Sequence, residues 1–78
     1  MKTTRYFSYT RTRSDRADIK DKWIQQVINR PSKSSVQTDG RIRKWGWIEE
    51  AGRFLRVILL ADGETVHNAF WDRSYKEE

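Results

Sequence analysis

The chain has no cysteine, one histidine, one proline and one methionine among its 78 residues. Without thiols there is no disulfide framework, no thiolate zinc site and no cysteine nucleophile. A single imidazole cannot build a zinc site of several histidines. No run approaches the roughly 20 apolar residues of a membrane-spanning helix. The first residues, MKTTRYFSY, lack the apolar core of a signal peptide, so the expected location is the cytoplasm with no membrane association. Catalytic triads, P-loops, paired catalytic carboxylates and dinucleotide fingerprints are missing too, and no repeat or low-complexity segment is visible. Any chemistry must come from charge and one imidazole, and no cofactor is expected.

What is present is charge and large rings. Hydrophobic residues make up 36% and charged residues 35% of the chain, and four Trp, three Tyr and three Phe supply bulky side chains to bury. Sixteen Lys and Arg against eleven Asp and Glu give a formal net charge of +5. Arginine outnumbers lysine, and arginine with aromatic rings suits phosphate and base contacts; a generic basic surface is the plainer alternative. The length allows one domain over residues 1–78, and a chain this short buries only about 60% of its unfolded surface.

The stretch RFLRVILLADGETVHNAFWDR, Arg53 to Arg73, organises the rest. Residues 54 to 60 are rich in β-branched and aromatic types, Asp62-Gly63 signals a two-residue turn, and residues 64 to 71 alternate again, which predicts a β-hairpin. A two-residue loop would pair Leu59 with Val66, Val57 with Asn68 and Leu55 with Phe70 on one face. Ile58 with His67, Arg56 with Ala69 and Phe54 with Trp71 would share the other. One face then builds a core, and the other carries an arginine and the histidine as diagonal neighbours.

Upstream, the aromatic residues of Thr3 to Thr10 predict a short edge strand. Ile19, Trp23, Ile24, Val27 and Ile28 recur at helical spacing, with Asp18 as N-cap, Asp21 in the first turn and Pro31 as the stop, which predicts a helix over Asp18 to Asn29. Its stripe is expected to pack Trp23 and Val27 on Leu55, Val57, Leu59 and Phe70. Ser34 to Thr38 and Arg41 to Glu49 flank Asp39-Gly40, a second hairpin signal. The predicted fold is α+β: an N-terminal strand and one main helix packed on a four-stranded antiparallel meander. The loop at Glu50 to Gly52 leaves one register open. Three residues put Trp45 and Trp47 on the core face, and one more moves them to the arginine face; the core is the expected place for at least one.

The candidate constellation is Arg56 and His67, with Asp72 and Arg73 beyond them and Arg41 and Arg43 on the adjacent strand. RNA cleavage needs removal of a 2′-hydroxyl proton, neutralisation of a phosphorane and a proton for the leaving oxygen. A histidine titrating near neutrality can serve as base or acid, and arginines can hold the phosphate bidentately. The competing readings are ordinary ones: a hydrogen-bonded structural histidine, a salt bridge between Asp72 and Arg73 that ties down the tail, and Asn68 as a buried amide satisfying backbone groups. Arg13, Asp15 and Arg16 suit either a solvated connection or a phosphate cradle.

The blocks RSDRADIKDKWIQQVI, QTDGRIRKWGWIEE and LRVILLADGETVHNAFWDR resemble small bacterial proteins grouped with the RelE and BrnT type toxins of toxin–antitoxin pairs, over about residues 5 to 75. The resemblance implies a RelE-like fold, whose open sheet side receives messenger RNA, on or off the ribosome. It also implies a small cognate antitoxin protein as partner. His67, Arg56 and Arg73 are the matching catalytic candidates, with Arg41, Arg43, Arg13, Arg16 and Asp72 as RNA contacts. The histidine common early in related sequences has no counterpart, and Tyr9 is the nearest residue by position. Three function classes compete: a metal-independent ribonuclease toxin, a non-catalytic nucleic-acid binder and a protein-interaction module.

Overall fold

The computed structural model describes residues 1–13 and 16–75. In chain order it contains α1 (Arg5–Thr10), α2 (Asp21–Asn29), β1 (Lys33–Val36), β2 (Ile42–Ile48), β3 (Arg53–Leu59) and β4 (Val66–Trp71). The strands form one antiparallel sheet in the order β1-β2-β3-β4. The α+β class and the meander are as expected, with two helices in place of a strand and one helix.

The expected N-terminal strand is α1. Thr4 has extended backbone and its hydroxyl accepts from the Phe7 amide at 3.1 Å, which caps a helix and outweighs the β preference of the aromatic residues. Only Phe7 of the three rings is buried, so there is no alternating face to bury as a strand. Thr3 alone pairs with the sheet, as a parallel bridge to Val66 on the β4 edge. The main helix starts at Asp21, later than expected. Lys20 stands at the N-cap without a side-chain bond, and Asp18 instead lies 3.8 Å from Arg53.

The apolar stripe of α2 covers one face of β2 and β3. Trp23, Ile24 and Val27 join Ile48, Leu55, Val57, Leu59, Val66, Ala69 and Phe7 in one core. Gly46 lets the helix approach closely: a Cβ there would sit 2.8 Å from Val27 Cγ2. Lys44, on the same face, runs its stem beneath the helix end and donates to the Ile28 carbonyl at 2.9 Å, where the helix dipole favours a cation.

Two registers differ from expectation. Ile48 pairs with Arg53, so Glu49 to Gly52 form a four-residue loop with Gly52 at φ 64. Trp45 therefore faces Arg56 and Trp47 faces Phe54, and both tryptophans lie on the arginine face, with neither on the core face. In the last hairpin, Leu59 pairs with Val66 as expected, but Ile58 pairs with Asn68. His67 is the extra residue of a β-bulge, and every later pairing slips by one. Ala69 and Trp71 consequently turn to the helix side, while Asn68 and Phe70 turn away from it. Phe70 is not a core partner of α2, and Asn68 is not a core amide.

Candidate functional site

The sheet face away from α2 is where the charged and aromatic residues collect. A bulge keeps two successive side chains on one side of a strand, and here His67 and Asn68 both border the same open hollow of about 390 Å³. Arg56, Ile58 and Phe70 form its floor, and Tyr6 and Arg41 stand at its rim.

Each wall has a local cause. Tyr6 follows Thr4 on α1 and stacks on the His67 ring, with centroids 4.9 Å apart and planes at 24°. His67 Nδ1 lies 3.1 Å from Thr4 Oγ1, the oxygen that caps α1. A hydroxyl both donates and accepts, so Thr4 serves either imidazole tautomer, and Nε2 has no bonded partner among the described residues. Burial lowers the His67 pKa from its ordinary value and the positive charge of Arg41 lowers it further, with Asp39 opposing. Both effects favour the neutral ring, the form that accepts a proton.

Arg56 lies between the Trp45 and Phe70 rings, 5.3 Å from each centroid. Its Nη1 is 3.7 Å from Asp72 Oδ2, and its buried Nε has no acceptor among the described residues. Arg16 arrives from the α1–α2 connection, donates to Asn68 Oδ1 at 2.8 Å and lies over Phe70 at 5.5 Å. Arg43 donates to Ser35 at 3.1 Å and leans on Trp45. Two guanidinium groups, of Arg41 and Arg56, thus border one hollow with the imidazole, and Arg16 is bonded to Asn68 at its side.

Other sequence candidates lie elsewhere. Asp72 does not pair with Arg73. It accepts from Trp45 Nε1 at 2.9 Å and, through its other oxygen, from Ser74 and the Tyr75 amide. Burial raises its pKa, but the hydrogen bonds from Ser74 and Trp45 and the charge of Arg56 outweigh that and hold the carboxyl below its usual value. Its oxygens are occupied by protein donors, so its place here is as anchor of the tail and of Arg56. Arg73 is exposed and borders a second hollow at the other end of the face, away from His67. Arg13 is exposed, and its neighbour Asp15 lies outside the described residues. Tyr9, the positional substitute for an early histidine, is 72% exposed and lines neither hollow.

Sequence reasoning missed Thr4, Tyr6 and Asn68 as neighbours of this site. No local signal could have placed Tyr6 beside His67, because the contact spans 61 positions and depends on α1 lying along the β4 edge. The chain matches no family model, no curated protein and no solved structure.

Proposed function

We propose that this face binds single-stranded RNA and cuts it without a metal cofactor, in the manner of RelE-type toxins, with His67 as the proton-transfer group. The observation that carries the reading is the hollow in which an oriented imidazole, Arg41, Arg56 and Asn68 converge beside open aromatic surface. In that reading His67 Nε2 takes the 2′-hydroxyl proton as the 2′ oxygen bonds to phosphorus, and Arg41 and Arg56 neutralise the phosphorane. The P–O5′ bond then breaks to leave a 2′,3′-cyclic phosphate, the 5′ oxygen taking its proton from the imidazolium just formed or from water. Tyr6 holds the ring plane, and Thr4 accepts from Nδ1–H, which leaves Nε2 as the basic nitrogen. Arg73 belongs to RNA binding and not to bond cleavage, since it lines a different hollow. A small acidic antitoxin covering the basic face is the partner this reading implies.

A second reading has its own support. Arg56 is already engaged by Asp72, and Trp47 is exposed beside Phe54, an arrangement that suits stacking on unpaired bases without cleavage.

The deciding experiment incubates RNA with the purified protein, with and without ribosomes and EDTA. Wild type should leave 2′,3′-cyclic phosphate or 3′-phosphate ends in EDTA, and His67→Ala should lower the rate by about 10²–10⁴ while still binding RNA. Expression without a partner should arrest growth in wild type and not in His67→Ala. A folded wild-type protein that binds RNA and leaves it intact, with ribosomes present, selects the second reading.

A further inference from the structure

We infer that the hollow at the opposite end of the same face is a second nucleotide subsite, where an unpaired RNA base lies against Trp47 and a phosphate meets Arg73. The inference rests on the RNA reading above and extends it from one hollow to two. The second hollow, about 270 Å³, is bordered by Trp47, Gly52, Arg53, Phe54, Arg73 and Tyr75, among others. It exists because the four-residue β2–β3 loop turns Trp47 onto this face, opposite Phe54.

Trp47 is 44% exposed, a large ring that a core would normally take in. Its contact with Phe54 is edge-to-face, with centroids 5.1 Å apart and planes at 68°, so at least one indole face stays open for a base. The neighbouring rings are already closed upon themselves. Tyr75 stacks on Trp45 at 5.3 Å and meets the Phe54 ring at 4.7 Å, which makes a rigid wall beside the open indole.

The charges around the hollow are divided between structure and ligand. Arg53 is held 4.3 Å above the Trp71 ring and pairs with Asp18. Asp72 is neutralised by Arg56 and by its hydrogen bonds. Arg73 is exposed and has no ion-pair partner among the described residues. An open π-face beside an uncommitted guanidinium calls for a ligand that joins a flat ring to an anion. A nucleotide is that ligand, and an apolar peptide or a free phosphate satisfies only half of the site. Phe54 and Ile58 lie on one strand four residues apart, or about 13 Å at ~3.3 Å per residue. The two hollows are therefore within reach of one short single strand.

The test uses 2′-O-methyl oligouridylates, which bind but cannot be cut, two and six nucleotides long and labelled with fluorescein. Wild type should bind the hexamer about 10-fold or more tightly than the dimer. Trp47→Ala should weaken hexamer binding about 5- to 100-fold and remove most of that gain, and Trp47→Phe should restore much of it. Arg73→Ala, at an exposed position, should flatten the log–log salt dependence by roughly 0.7, and it carries the test if Trp47→Ala fails to fold. Wild-type hexamer affinity in Trp47→Ala, or an unchanged salt slope in Arg73→Ala, overturns the second subsite and leaves the His67 hollow standing. A wild-type protein that binds neither oligonucleotide overturns both readings.

Discussion

The Thr4 hydroxyl oxygen lies 3.1 Å from His67 Nδ1 and 3.1 Å from the Phe7 amide, so one atom both caps a helix and orients the imidazole. Thr4→Ala should cost about 0.5–2 kcal/mol of stability through the lost cap. It should also reduce any His67-dependent cleavage, and Thr4→Ser should keep both properties. Urea unfolding beside a cleavage assay checks this; a Thr4→Ala protein of wild-type stability would show that the cap contributes nothing.

His67 also makes a pH prediction whose sign follows from its lowered pKa. The unfolded imidazole titrates near 6.5 and the folded one below it, so the unfolded chain takes up the proton first as pH falls. The contribution of His67 to stability is present above pH 6.5 and is lost as pH drops through the folded pKa. Urea midpoints measured at several pH values between about 5 and 7.5 should fall more steeply for wild type than for His67→Gln. Parallel curves would mean that His67 titrates alike in both states.

The bulge can be tested by the faces it assigns. Ala69 is 1% exposed and Phe70 is half-buried on the opposite face. Ala69→Leu should overpack the core and cost about 1–3 kcal/mol. Phe70→Ala should be the milder stability change and should weaken RNA binding instead. Without the bulge the ranking reverses, because Phe70 would be the core residue.

Gly46 and Val27 should behave as a pair. A Cβ at Gly46 would meet Val27 Cγ2 at 2.8 Å, in the middle of the helix–sheet contact. Gly46→Ala should destabilise by about 1–3 kcal/mol. Adding Val27→Ala should then cost less than it does in wild type, because the smaller side chain makes room. A double-mutant cycle measures that coupling, and strict additivity would contradict the close approach.

The elements that rest on local physics were legible in the chain before any packing was known. The helical spacing of Trp23, Ile24 and Val27, the stop at Pro31 and the Asp39-Gly40 turn led to α2 and the first hairpin, and the apolar run of β3 marked the core strand. Arg56 and His67 were legible as members of one face because the Leu59–Val66 pairing next to the turn held, although the bulge pairs Arg56 with Phe70 in place of Ala69 and leaves His67 outside the ladder that was to make them diagonal neighbours.

The registers and the first helix came from long-range packing. Strand pairing has a period of two, so a single residue added at His67 or in the β2–β3 loop reverses every side chain beyond it, and composition carries no mark of that residue. Closing the core decided it. The helix side accepts Ala69, Trp71 and Gly46 beneath α2, while Phe70, Trp45 and Trp47 are left to the other face. Tyr6 reached His67 for the same reason: the Thr4 cap and burial of Phe7 set α1 against the β4 edge, across almost the whole length of the chain.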